Sequence, residues 1–137
     1  MEAEERVGCR GHSLVRATHP TTFEVTAEGH LTTQGDCIIG ICADKGAAGL
    51  SAEFRKVLAD DRAILTTRLT AGGHSVEVRG WGSSRMTLTH LTDLVWRRSG
   101  FVDPRTVAIH CDRTAATLPR ELLRALQEGA ELEVVMV

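Results

Sequence analysis

The sequence predicts an α+β fold: an internally duplicated β-β-β-α-β unit with pseudo-twofold symmetry, its two helices flanking a mixed sheet or a partly closed barrel. Three observations predict it. Matched segments recur in the same order along the chain, two amphipathic helical stripes occupy corresponding places, and alternating runs flank them.

The matches run in order. Gly11-His12-Ser13-Leu14 faces Gly73-His74-Ser75-Val76, and Thr22-Phe23-Glu24-Val25-Thr26 faces Arg85-Met86-Thr87-Leu88-Thr89. Residues 43–50 (ADKGAAGL) face residues 111–118 (CDRTAATL), and this match continues through Glu53/Glu121, Lys56/Arg124 and Leu58/Leu126. On this alignment the second half carries an insertion within Leu91 to Val102, and the repeats cover about residues 8–70 and 71–137.

Leu50, Phe54, Val57 and Leu58 form an i, i+4, i+7, i+8 stripe, repeated by Leu118, Leu122, Ala125 and Leu126. Pro119 suits a helix's first turn, where a missing N–H costs nothing. Residues 37–42 and 106–110 read as strands before the helices, the first apolar enough to be buried on both faces. Residues 22–26, 85–89 and 131–137 alternate as half-buried strands do. Residues 69–73 read as a tight turn between the halves. No linker separates them, so residues 1–137 read as one domain.

Composition narrows the function. Net charge is -2, and 25% of residues are charged, which argues against a strongly basic nucleic-acid binder while leaving room for a local patch. With no tyrosine and 4% aromatics, the core must be aliphatic. An acidic, polar N-terminus resembles no signal peptide. The longest apolar run, Cys37 to Cys42, is too short to span a bilayer. The four cysteines form no C-x-x-C pair, so the expectation is a reduced, cytoplasmic protein without a membrane partner.

Asp44 and Asp112 share a repeat position between a strand and a helical segment. One reading makes each a helix N-cap; the other makes it a divalent-metal ligand or an acid/base group. Lys45 and Arg113, next to them, favour the charged carboxylate. Asp36 and Asp103 precede the same two strands. Eight extended residues span roughly 26 Å, so Asp36 and Asp44 cannot share a site within one half. Antiparallel pairing of the two strands would instead bring Asp36 to Asp112 and Asp44 to Asp103. Asp36 and Asp112 are therefore the metal candidates, and Asp36, His19, His12 and Asp44 the catalytic ones. His12 and His74 correspond in the alignment and read as turn residues or as parts of a site. Cys37 lies in an apolar strand, where a thiol is inert.

Between Arg79 and Arg113 six arginines (79, 85, 97, 98, 105 and 113) interleave with Trp81, Trp96 and Phe101. Arginines with aromatics can follow a phosphate backbone and stack bases; the plainer reading is a solvated face over half-buried tryptophans. Lys45, Arg79, Arg105 and Arg113 are the candidate ligand-binding residues. Neither a Walker loop nor the acid-x-Lys string of a common nuclease type is present.

The strings Gly11-His12, Ala17-Thr18-His19-x-Thr21-Thr22, Gly35-Asp36-Cys37-Ile38-Ile39-Gly40, Ala43-Asp44-Lys45 and Asp103-x-Arg105-Thr106 together resemble a family of small archaeal proteins, domain-of-unknown-function family 371, over roughly residues 8–137. Cys111-Asp112-Arg113 departs conservatively from an Ala-Asp-Lys string. The resemblance implies an archaeal, cytoplasmic, single-domain protein and carries no activity or catalytic residue across. The functional expectation is a module binding nucleic acid or a phosphorylated small molecule. Its alternatives are a metal-dependent hydrolase of nuclease type using a divalent cation, and a non-enzymatic scaffold, with a homodimer among the expected partners.

Overall fold

A computed structural model describes residues 3–31 and 35–137. Among the described residues, eight strands and two α-helices follow in the order β1 (Glu5–Arg10), β2 (Thr22–Thr26), β3 (Ile38–Gly40), α1 (Ala52–Leu58), β4 (Ile64–Ala71), β5 (His74–Trp81), β6 (Asp93–Arg97), β7 (Thr106–Ala108), α2 (Arg120–Gln127) and β8 (Glu131–Met136). A short 3-10 turn precedes each helix, at Ala47–Gly49 and Ala115–Thr117.

The strands form two four-stranded sheets. The first, in the order β1-β8-β4-β5, is antiparallel throughout. The second, in the order β3-β2-β6-β7, is mixed: β2 and β6 pair antiparallel at its centre, and β3 and β7 run parallel to them at its edges. Among the described residues only single bridges, Arg10 to Ile41 and Trp81 to Ile109, link the sheets' edges, so the expected barrel is replaced by two sheets.

β4 and β5 form a hairpin whose turn is Gly72-Gly73, at φ 57° and 81°. A two-residue hairpin turn of this hand needs positive φ at both positions, which glycine supplies without strain. The expected turn over 69–73 is thus narrower, because both strands run on to its two central residues.

The core lies between the sheets and under the helices. Leu65, Leu69, Leu132 and Val134 enter it from the first sheet; Phe23, Val25, Leu94 and Trp96 enter from the second. Phe23 and Trp96 stack with ring centroids 4.8 Å apart, and the Trp96 indole N–H donates to Thr67 Oγ1 of the first sheet at 3.0 Å. Trp96, expected half-buried, is 1% exposed: its ring stacks on Phe23 within the core and its N–H finds a partner in Thr67. Leu122, Leu123 and Leu126 of α2, with Phe54 and Leu58 of α1, close the core.

Three expectations are corrected. Residues 85–89 form no strand: Leu88 has φ 52°, and the segment's alternation reflects the burial of Met86 and Leu88 alone. The expected insertion holds β6 instead. Asp44 and Asp112 cap neither helix, because a 3-10 turn intervenes; Ser51 caps α1, its Oγ accepting from Phe54 N at 3.1 Å, and Pro119 takes the cap position of α2.

Candidate functional site

The cations proposed to hold a phosphate divide into two groups. The first is neutralised. Lys45 Nζ donates to Glu5 Oε1 at 3.1 Å, and the Ser51 N–H donates to the other carboxylate oxygen at 2.7 Å. Partial burial opposes it, but these bonds hold the Glu5 carboxyl below its usual range.

Arg105 sits among three carboxylates on the outer face of the second sheet. Its Nη1 lies 3.2 Å from Glu24 Oε1 and 3.7 Å from Asp93 Oδ2, and its Nη2 lies 3.2 Å from Asp103 Oδ2. Arg97 joins from β6, with Nη2 2.8 Å from Asp103 Oδ2 and Nε 2.8 Å from Thr106 Oγ1. Burial pushes the Glu24 carboxyl up to about 7; the Asp93 charge adds to this, and Arg105 and Arg97 offset part of it. Burial also opposes ionisation of Asp103, but the Arg105 N–H, the Thr106 hydroxyl and both guanidinium groups hold it below its ordinary value. Arg105 is therefore an internal counter-ion rather than a free phosphate ligand.

The second group faces water. Arg79 and Trp81 lie two residues apart on the outer face of β5, and Trp81 is 43% exposed. Beside them runs the segment after β7. Ile109 bridges Trp81, the Asp112 N–H donates to Arg79 O at 3.0 Å, and Asp112 Oδ1 accepts from Arg79 N at 2.9 Å. On its other side Cys111 N bonds Arg97 O and His110 N bonds Ser99 O, which brings in the loop holding Arg98 and Phe101. Arg98 is exposed, as is Phe101 at 60%. Arg113 follows, its Nη1 on Thr117 O at 3.0 Å. The backbone of Ile109–Asp112 thus joins, at one corner, the strand carrying Arg79 and Trp81 to the loop carrying Arg98 and Phe101, with His110 within the segment and Arg113 just after it. A separate shallow concavity of about 680 Å³ on the first sheet carries Arg6 and Arg10 opposite Glu131 and Glu133, with Arg6 already 3.5 Å from Glu133.

The remaining candidates are placed by their backbones. Asp36 O accepts from Thr18 N and His19 N, at 3.0 and 3.3 Å. His19 Nδ1 accepts from Thr21 N and Thr22 N, both at 3.2 Å, and so fixes the entry into β2. His12 Nδ1 accepts from Leu14 N at 3.0 Å in the turn after β1. His74 opens β5, so it does not share His12's place in the element order. Asp44 is exposed and its N–H donates to Gly8 O. β3 and β7 lie at opposite edges of the second sheet, so the proposed antiparallel pairing does not form and Asp36 is not brought to Asp112, nor Asp44 to Asp103. Among the described residues no three His, Cys, Asp or Glu side chains are placed to hold a metal ion. Burial, with Glu24 and Asp36 adding to it, pushes the Cys37 thiol up to about 11; burial above all pushes Cys9 and Cys111 up to about 12. These thiols stay protonated at neutral pH.

Sequence reasoning passed over two features. Glu24 read as the outward residue of an alternating strand, and no local signal shows that the loop before β7 covers it. His90 Nδ1 accepts from Thr92 N and Asp93 N as His19 does from its own neighbours. Thr89-His90-x-Thr92 against Thr18-His19-x-Thr21 was the available signal.

The fold and corner define an α+β protein of two sheets, with partly buried acid–arginine pairs on the outer face of one of them. The chain belongs to the family described as domain of unknown function DUF371, whose model matches residues 7–137. It is 39% identical over 126 residues to the uncharacterized protein MJ0206 of Methanocaldococcus jannaschii, covering 92% of this chain and 93% of that protein. Among the described residues no helix is long and apolar enough to cross a membrane.

Proposed function

We propose that the protein is a nucleic-acid-binding module, using Arg79, Arg98 and Arg113 for phosphates and the exposed aromatic rings for bases. The observation that carries this is the Ile109–Asp112 segment, whose backbone is bonded on one side to the strand carrying Arg79 and Trp81 and on the other to the loop carrying Arg98 and the exposed Phe101. Exposed arginines supply sequence-independent phosphate contacts, and aromatic faces accept any base. A chain with net charge -2 can bind in this way because Arg97 and Arg105 are paired internally with carboxylates and the charge of the remaining arginines at the corner is local.

Internal duplication supports the choice of corner. The element order of residues 5–71 recurs at residues 74–136. Ala17 and Leu88, and likewise Cys42 and His110, share positive φ, and the Arg10–Ile41 bridge has its counterpart in Trp81–Ile109. These correspondences align Gly11 with Gly82 and His19 with His90, and the extra residues then fall in the first half, between β2 and β3. In that alignment the first half carries Gly8, Arg10 and Cys42 where the second carries Arg79, Trp81 and His110. The repeat unit builds the fold in both halves; the arginine–aromatic set occurs in one.

The test is a titration of a fluorescently labelled single-stranded oligonucleotide, followed by anisotropy at 50 and 200 mM salt. Binding should weaken steeply with salt, and the double variant Arg79→Ala/Arg98→Ala should weaken it further and flatten the salt dependence. Absent or salt-insensitive binding removes the proposal.

A further inference from the structure

Phe101 sits in the loop between β6 and β7 and is 60% exposed. An exposed phenylalanine in a loop is ordinarily free to move among rotamers, but this one has a cation over one face of its ring and a loop backbone tied down by hydrogen bonds. The Arg97 guanidinium carbon lies 4.9 Å from the ring centroid, covering one face. Arg97 itself is 9% exposed and is held by Asp103 Oδ2 and Thr106 Oγ1, each at 2.8 Å. The loop backbone is tied down as well: Phe101 N donates to Ser99 Oγ at 3.3 Å, Arg85 Nη2 to Gly100 O at 3.1 Å, and Arg98 N to Thr21 O at 2.8 Å.

A buried cation therefore backs an aromatic ring whose exposure leaves area facing water. Folding alone gives little reason to hold a large apolar ring rigid in solvent, whereas binding a flat partner does, because the ordering cost is met before the ligand arrives. The arginines at the corner make an anionic partner the favoured one, and a nucleobase on a phosphate backbone unites the two properties.

Resting on the nucleic-acid reading above, we infer that Phe101 is a base-stacking platform for single-stranded nucleic acid and that Arg97 is its positioning residue, holding the ring from behind. Specificity follows from the chemistry. The contact is to a base face, so it tolerates any base and is lost when the base is absent, while phosphate contacts remain.

The experiment compares a labelled 12-nucleotide thymidine oligomer with an abasic oligomer of the same length and charge. Wild-type protein should bind the base-bearing oligomer more tightly. Phe101→Ala should weaken that oligomer about tenfold and leave the abasic one unchanged. Phe101→Trp should restore the difference, which a merely structural role of the loop does not explain. Arg97→Met should reduce the discrimination between the two oligomers, read alongside circular dichroism to establish folding. If wild-type protein binds both oligomers equally and with salt dependence, the stacking inference falls and phosphate binding stands. Equal weakening of both by Phe101→Ala also overturns it. If neither oligomer binds, the nucleic-acid reading falls and takes this inference with it.

Discussion

Glu24 Oε1 accepts a 3.2 Å hydrogen bond from Arg105 Nη1, a contact between residues 81 apart in sequence. It ties the centre of the second sheet to the loop before β7, yet burial keeps the Glu24 carboxyl up at about 7. The sign follows from proton counting. In the unfolded chain this group loses its proton near 4.5, while the folded protein retains it to about 7. Stability therefore falls as pH rises between those values, by on the order of 3 kcal/mol. Urea unfolding at pH 5 and pH 8 should show this loss in the wild type and much less of it in Glu24→Gln. Parallel pH profiles for the two proteins would contradict the assignment.

The Trp96 indole N–H and the Thr67 hydroxyl join the two sheets through a buried bond. Trp96→Phe keeps an aromatic ring against Phe23 but leaves Thr67 without its donor and removes part of the core volume. The expected cost is about 2–3 kcal/mol, read from the denaturation midpoint at unchanged m-value. Thr67→Val in the Trp96→Phe background should then cost little more, because the donor is already gone.

How much of this was legible in the sequence depended on whether the signal was local. Both helices, β3, β7 and β8 follow from hydrophobic periodicity and stand near their expected places. β6 was missed because Asp93-Leu94-Val95-Trp96-Arg97 does not alternate: its outer-face residues, Val95 and Arg97, are buried too, beneath the loop before β7. The stretch 85–89 was misread for the converse reason, since Met86 and Leu88 are buried in a segment whose backbone leaves the extended region. At the site, the arginine–aromatic interleaving was visible, but not its division. That Arg105 faces Glu24 depends on a contact between residues 81 apart, and that Arg97 faces Asp103 depends on how the loop between β6 and β7 folds back over the sheet, which no local pattern shows.

The four thiols should separate by exposure. Cys42 is exposed, Cys37 half-buried, and Cys9 and Cys111 buried with their thiols pushed up to about 12. Titration of the native protein with a chromogenic disulfide at pH 8 should show one fast thiol per chain, a slower second, and the last two only on unfolding. Cys42→Ser should abolish the fast phase alone. Two fast thiols, or a fast phase that survives Cys42→Ser, would contradict the burial described here.

Gly82 lies against the end of α1, and the space a side chain there would need is occupied: a Cβ atom would stand 2.1 Å from Leu58 O. Gly11 makes the corresponding approach to α2, where a Cβ would meet Leu126 O at 1.9 Å. These oxygens are main-chain atoms at helix ends whose carbonyls already accept bonds, Leu58 O from Ser83 N at 3.2 Å and Leu126 O from Gly129 N at 3.0 Å. Neither can swing aside as a flexible side chain could, so a methyl group forces helix and strand apart. Gly82→Ala should cost about 3 kcal/mol or more, well above the cost of alanine at an unhindered glycine. Gly73→Ala supplies the contrast, since nothing lies within 4 Å of its would-be Cβ and only its φ of 81° opposes the change. Its expected cost is about 1 kcal/mol, from left-handed strain alone. Equal destabilisation by the two substitutions would show that the close approach to the helix end is not what demands glycine at position 82.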